Sequence, residues 1–326
     1  MNNNSTRIMI SEKIELFELN ENSLYKNGYT LGKLYKNRIN IQKYYQLKEK
    51  LYQKIEQKYS KLVFNIISKT IKKWISELKN NYSISIEDIL GFSDALDIRD
   101  DVLLEINVIV EIYDYMCTLL GLISEENRWN LRILDLGNEF INIVKELDLP
   151  LSIIVNNVSD QFKYVMFGYI WFFNAHTSYI NSSMITTFSW NKLELKDFLK
   201  NKIPPLFHIK YSFLKYKSID NIYNYLINQN IIYDGYVMLM NKDKTILYDF
   251  DQNRNETKIT TNENILISDF SFELNNNIND FINNEFNTIP STLRCFSLIH
   301  DFKTNEFYIN NNLSSKQFIK FKLKIT

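Results

Sequence analysis

The sequence predicts an α+β protein whose helices and strands are segregated along the chain, and three observations carry that prediction. Apolar residues recur at intervals near three and four through the first third. Period-two alternation takes over after Cys117. The strand runs then follow one another in pairs without a helix between them, unlike the βαβ alternation of a parallel sheet. A mainly helical segment, residues 1–116, feeding a strand-rich segment, residues 117–326, is therefore expected, the two forming one folded unit.

In order, Arg7 to Leu19 alternates as a first strand (IMI, then IELFEL). From Ser23 to about Lys79 the pattern is helical, with Leu24, Leu31, Leu34, Leu47, Leu51 and Ile55, then Leu62, Ile66, Ile67, Ile71 and Trp74, spaced among Lys and Glu. Ser85 reads as an N-cap before Glu87 and Asp88, and its helix ends near Ala95. A second helix, Arg99 to Tyr115, leads directly to Cys117. Strands are expected at Thr118–Ile123, Asn130–Leu136, Leu151–Val158, Phe162–Phe173 and Ser183–Trp190. Helices follow at Lys192–Lys200, Leu206–Leu214 and Ser218–Gln229, the last capped by Ser218. Tyr236–Asn241 and Thr245–Asp251 form a hairpin, and Lys258–Thr261, Asn264–Phe270, Leu293–Asp301 and Glu306–Ile309 complete the strands. Asn275–Asn287 reads as a loop with one helical turn.

Composition narrows the function classes. The chain has 326 residues and is 45% hydrophobic, enough for a large core. Lys+Arg and Asp+Glu are both 38, and that balance argues against nucleic acid or an acidic membrane surface as the main partner. Two cysteines, Cys117 and Cys295, make no disulfide framework, so a reducing compartment is expected. The N-terminal stretch lacks the plan of a signal peptide, and no apolar run reaches a membrane span. A cytoplasmic protein without cofactor is the expectation.

The stretch Tyr115–Gly137, YMCTLLGLISEENRWNLRILDLG, concentrates the chemistry. It reads as a hairpin whose first strand begins with Cys117-Thr118 and whose second returns Arg132 and Asp135. A thiol is a nucleophile as thiolate, and a nearby cation lowers its pKa. By themselves these residues favour a buried cysteine in an ordinary hairpin with a surface ion pair.

Three segments together resemble the isopenicillin N acyltransferase-like family of N-terminal nucleophile hydrolases, to which acid ceramidase and the bile-salt hydrolases are more distantly related. Tyr25-Lys26-Asn27-Gly28-Tyr29-Thr30-Leu31-Gly32 is similar to the family's opening "GyxxG" helix. Ile89-Leu90-Gly91-Phe92-Ser93-Asp94-Ala95 resembles its "ELxGiAeG" turn, running on through Ile106-Asn107 and Glu111. Cys117-Thr118 with Arg132 and Asp135 resembles "CT…RNxD". The likeness is strongest up to Asp135 and looser afterwards.

The resemblance implies a four-layer αββα sandwich and a proenzyme that cuts itself between Met116 and Cys117. The freed α-amine of Cys117 would then act as base for its own thiol, attacking a small-molecule amide or acyl-thioester to give an acyl-enzyme. Arg132 would hold the thiolate or orient the free amine by charge, Asp135 would hydrogen-bond that amine, and Thr118 would support the site through its hydroxyl. The same resemblance implies that the two fragments stay in one molecule.

Two departures stand out. Ile133 occupies the place of the family's Asn between the Arg and the Asp. The family's oxyanion Asn aligns best with Ser268-Asp269, and an ionised Asp269 would repel a developing oxyanion. Asn262 or Asn264 serves under a shifted register. These departures keep a second reading in play, a non-catalytic relative acting as a binding or scaffold protein.

His176, His208 and His300 are widely spaced, and no Cys-x-x-Cys occurs, so no zinc site is expected. A papain-like pairing of Cys117 with one of these histidines is a third reading. Cys295 reads as a core residue, as do Tyr169, Trp171, Phe172 and Phe173, which could otherwise line an acyl pocket.

Overall fold

The structure is a computed structural model. It describes the chain apart from residues 1–4, 12–13, 113–114, 124–127, 137–141, 143–150, 160–161, 171–178, 182–183, 191–194, 196–198, 230, 233–234, 251–257, 261–264, 268–293, 305, 312–318 and 324–326. The architecture is mixed α/β, with two sheets and, among the described residues, seven α-helices.

The run Arg7–Leu19 is two strands rather than one. β1 (Thr6–Ser11) and β2 (Ile14–Leu19) pair antiparallel, with Arg7 opposite Phe17 and Met9 opposite Glu15. Ser11 and Ile14 are already paired, so the chain reverses between two runs that read as one continuous alternation. β2 then lies parallel to β5 (Leu151–Ser159), the parallel contact that ties the N-terminal segment into the sheet.

That sheet has nine strands in the order β1-β2-β5-β6-β7-β8-β9-β10-β11. Its further members are β6 (Phe162–Tyr169), β7 (Tyr179–Ile180), β8 (Ile185–Trp190), β9 (Gly235–Met240), β10 (Thr245–Asp249) and β11 (Lys258–Thr260). The expected hairpin across Lys242-Asp243-Lys244 is present as β9–β10, with Asn241 accepting from the N–H groups of Asp243 and Lys244 in the turn. The second sheet has six antiparallel strands in the order β12-β3-β4-β13-β14-β15. They are β3 (Tyr115–Ile123), β4 (Arg128–Leu136), β12 (Ile265–Ile267), β13 (Arg294–Asp301), β14 (Glu306–Asn311) and β15 (Ile319–Lys322).

The sheets face each other. Asn130 on β4 donates to Thr187 on β8 at 3.3 Å, Arg128 donates to Thr245 on β10 at 3.0 Å, and the Phe167 and Phe307 rings meet at 5.5 Å. Because side chains alternate along a strand, the other face of the nine-stranded sheet carries Asn156, Tyr164 and Tyr179, and this is the face the helices cover. Asn27 donates to Asn156 at 3.2 Å, and Phe213 lies 5.9 Å from Tyr164 and 5.4 Å from Tyr179.

The helical third is α1 (Leu24–Tyr35), α2 (Gln42–Lys58), α3 (Lys61–Asn81), α4 (Glu87–Ala95) and α5 (Asp100–Val110). Ser23 and Ser60 cap α1 and α3 by accepting from Lys26 and Val63 N–H groups. The stripes follow the expected spacing: Leu47, Leu51 and Ile55 of α2 are buried, as are Ile67, Ile71 and Trp74 of α3, whereas Leu62 and Ile66 are exposed.

Ser85 is not the cap of α4. It ends a 3₁₀ turn, Ser83–Ser85, and donates its hydroxyl back to the Tyr82 carbonyl at 2.6 Å, leaving Ile86 at the capping position without a side-chain bond. The helix expected to reach Tyr115 also stops earlier. α5 ends at Val110, and Tyr115-Met116-Cys117 already lie in β3. Val102 to Val110 are all buried, Glu105 and Asn107 among them, so α5 is a core helix with two buried polar side chains.

In the later helical interlude, α6 (Pro205–Lys215) and α7 (Ile219–Ile227) fall where the periodicity puts them, α7 capped by Ser218 through the Asn221 N–H at 3.3 Å. Most of Lys192–Lys200 lies outside the described residues, as does Asn275–Asn287. Phe162–Phe173 is strand to Tyr169, and Trp171, Phe172 and Phe173 lie outside the described residues.

Candidate functional site

The β3–β4 ladder fixes the relation among the residues singled out in the sequence. Cys117 is opposite Leu134, Leu119 opposite Arg132, Thr118 opposite Ile133 and Met116 opposite Asp135. Directly opposed residues share a face and successive ones alternate. Positions 117, 119, 132 and 134 therefore belong to one face, and positions 116, 118, 133 and 135 to the other. Arg128 and Asn130 have the parity of the first set and reach across to the nine-stranded sheet, so Cys117 and Arg132 stand on the face between the sheets.

Arg132 is the diagonal neighbour of Cys117 in the ladder, the two positions roughly 7–8 Å apart. Asp135 is on the opposite face, level with the Met116–Cys117 peptide. The ladder thus groups Cys117 with Arg132, and Asp135 with Met116 and Thr118. β12 advances along β3 towards Cys117, with Ile265 opposite Gly121 and Ile267 opposite Leu119. Asn264 and Asp269, with Asn262 and Ser268, lie outside the described residues.

The approach to Cys117 is held by a buried carboxyl. Glu111, just beyond α5, accepts the backbone N–H of Leu206 at 2.9 Å, and its other oxygen meets no partner among the described residues. That N–H belongs to the first turn of α6, whose donors have no partner within the helix. A carboxyl from a distant segment therefore caps α6. Burial pushes the Glu111 carboxyl well above its ordinary range, and the single backbone hydrogen bond offsets only part of that.

The same helix also carries an ion pair that sequence reasoning missed. Lys210 of α6 donates to both oxygens of Asp88 on α4, each at 2.8 Å, with both side chains buried. Desolvation pushes Asp88 up and Lys210 down, while their attraction and hydrogen bonds work against both shifts. One signal was there. Lys210 is three and four residues from Phe207, Leu206, Phe213 and Leu214, on the apolar stripe of α6 where a cation needs a partner. Arg128 was missed for another reason, since β4 begins two residues before the alternation becomes evident at Asn130.

Neither of the two described histidines converges on Cys117. His300 opposes Asn130 on β13 and stacks on Phe307 at 4.5 Å. Phe296, which shares a rung with Leu134 and Cys117, is four residues from His300, about 13 Å along the strand. His208 is in α6 on the helical side, its Nδ1 2.8 Å from the Tyr225 hydroxyl and its ring against Tyr82. Burial pulls its pKa down to about 3, with Lys202 adding to the shift, so the ring is neutral. His176 lies outside the described residues. Cys295 falls at the irregularity of the β13–β4 ladder between Arg294 and Phe296.

No group of three or more His, Cys, Asp or Glu residues able to hold a metal occurs among the described residues. No described helix is long and apolar enough to cross a membrane. No protein-family model matches the chain, and no curated protein matches it.

Proposed function

We propose that this chain is a self-processing amide hydrolase or acyltransferase with Cys117 as its N-terminal nucleophile, built on the four-layer αββα sandwich of the N-terminal nucleophile hydrolases. The supporting observation is the β3–β4 register, which sets Arg132 diagonal to Cys117 and Asp135 level with the Met116–Cys117 peptide.

In the maturation step the Cys117 thiol attacks the Met116 carbonyl carbon. The C–N bond breaks, a thioester forms, and the thiol proton passes to the departing nitrogen, which becomes the free α-amine. Water then hydrolyses the thioester, giving a Met116 carboxylate and a free thiol. In turnover that amine takes the thiol proton and the thiolate adds to the substrate carbonyl. Collapse expels the substrate's amine, or its thiol if the substrate is a thioester, with the proton returned from the ammonium. Water or an acceptor amine then releases the acyl group.

In this reading Arg132 would favour the thiolate by charge and Asp135 would hold the new ammonium. Asn264 or Asp269 would have to supply or permit the oxyanion donor, and Asn264 is the better chemistry because a neutral amide donates to an oxyanion.

Intact-mass measurement of the purified chain tests the reading. Two fragments divided before Cys117 are expected, and Cys117→Ala should leave one uncut chain. An uncut wild-type chain whose Cys117 is inert to acylating thiol probes would overturn it. Ile133 favours one rival, a binding or scaffold protein on the same fold, and that rival predicts this uncut, unreactive outcome.

A further inference from the structure

The equal numbers of acidic and basic residues in the whole chain conceal a segregation of charge. The 20 residues from Gln57 to Ser76 hold five lysines, Lys58, Lys61, Lys69, Lys72 and Lys73, and neither Asp nor Glu. Most of this stretch is α3, and its two long faces differ. Ile67, Ile71, Trp74 and Leu78 recur at intervals of four, three and four, and all are buried. Leu62, Ile66, Lys69 and Lys73 recur at the same intervals on the outward face, and all are exposed. Lys61 and Lys72, also exposed, border this second stripe.

An outward helix face of lysines is ordinary, but two aliphatic side chains held out among them, one turn apart, are not. Leu62 is 72% exposed, the highest of any large apolar side chain among the described residues, and Ile66 is 46% exposed. The acids bordering the face are already engaged. Glu77, the one acid of α3, pairs with Lys202 at 2.7 Å, and Asp100 of α5 pairs with Lys79 at 2.6 Å. Among the described residues, Lys61, Lys69, Lys72 and Lys73 enter no ion pair of their own.

We propose that the outward face of α3 docks on an anionic lipid surface, its lysines meeting the headgroups while Leu62 and Ile66 enter the boundary with the acyl chains. Charge complementarity selects an anionic partner, and the kinds of side chain select lipid. A nucleic acid is gripped by arginine forks and by exposed aromatic rings that stack on its bases. α3 has no arginine, Trp74 is buried, and Phe64 packs edge-on against Tyr52 of α2 with ring centroids 6.2 Å apart. Lysine beside aliphatic side chains suits charged headgroups over acyl chains. From Leu62 to Lys73 the face runs about 17 Å along the helix axis, enough to meet several headgroups at once. The helix stays packed on the protein through its opposite stripe, so the docking is peripheral and reversible.

Flotation of the full chain with vesicles tests this, using phosphatidylcholine alone and phosphatidylcholine with about one third phosphatidylserine. Binding is expected with the anionic vesicles only, and it should fall steeply between about 0.1 M and 0.5 M salt. Lys69→Gln with Lys73→Gln should weaken it by about tenfold or more. Leu62→Gln with Ile66→Gln should weaken it several-fold at unchanged charge. Both double variants should keep the wild-type melting temperature, because all four side chains are exposed and glutamine is a good helix former. A chain that ignores the anionic vesicles, binds neutral ones equally, or is indifferent to either double variant overturns the proposal. Tighter binding to duplex DNA than to the anionic vesicles, at matched phosphate and salt concentration, overturns it too. Flotation reads α3 in cut and uncut chains alike, so neither result depends on cleavage between Met116 and Cys117.

Discussion

Glu111 is where a single residue most clearly couples burial to pH. Its carboxyl is held well above the ordinary 4.5 because charging it would place an anion among apolar side chains with one backbone donor. A carboxyl with a raised folded pKa stabilises the fold fully below its unfolded value. The contribution is lost as pH rises from there through the folded pKa, with a slope of up to about 1.4 kcal/mol per pH unit. Glu111→Gln keeps an acceptor for the Leu206 N–H and removes the titration. Urea unfolding from about pH 5 to pH 8 should show wild-type stability falling more steeply than that of the variant; parallel curves would contradict the assignment. The residue is legible in the sequence as one position of a motif leading to Cys117. Its work as the cap of α6 is not, because Leu206 lies far along the chain and only packing brings the two together.

At the scale of elements, the crossing of α1 and α4 explains why three glycines recur in the helical third. A Cβ on Gly91 would fall 1.9 Å from the Tyr25 carbonyl oxygen, and one on Gly28 would fall 2.1 Å from the Asp88 carbonyl oxygen. Both obstacles are backbone, so neither can rotate away. At Gly32 the nearest atom is the Ala95 Cβ at 2.6 Å. Gly91→Ala and Gly28→Ala should each cost at least about 3 kcal/mol in chemical denaturation, and Gly32→Ala less; equal small costs at all three would refute the close crossing. The sequence shows these glycines as a recurring pattern that resembles a family of hydrolases. Their physical duty is helix packing, some distance in the chain from the thiol. The buried pair behaves as an element-level pin between α4 and α6. Lys210→Met should cost about 3–5 kcal/mol by leaving Asp88 buried and unpaired, while Asp88→Leu with Lys210→Met should recover most of that. A double variant no better than the single would show that the pair is not the source of the loss.

For the whole molecule, the segment before Cys117 is not an appendage. It contributes β1 and β2 to the nine-stranded sheet through the parallel β2–β5 ladder. It is also tied to the later chain by Trp74 donating to the Asn201 carbonyl at 2.8 Å, by Lys210 with Asp88, and by Leu206 with Glu111. If the chain splits before Cys117, the fragments should co-elute on gel filtration and separate only in denaturant; fragments that part in native buffer would show these ties to be insufficient. Residue order alone determined the mixed helix-and-strand character, most helix stripes, the Ser218 cap, the β9–β10 hairpin and the cysteine-bearing hairpin, because each depends on local periodicity and turn chemistry. Only the tertiary structure decided the rest. It split the first strand into a hairpin, ended α5 at Val110 so that Met116 and Cys117 lie in β3, and paired Lys210 with Asp88. It also put Cys117 and Arg132 on the face between the sheets with Asp135 on the other. These outcomes depend on which surfaces must be buried together and on ladder register, and both are set by contacts between residues far apart in the chain.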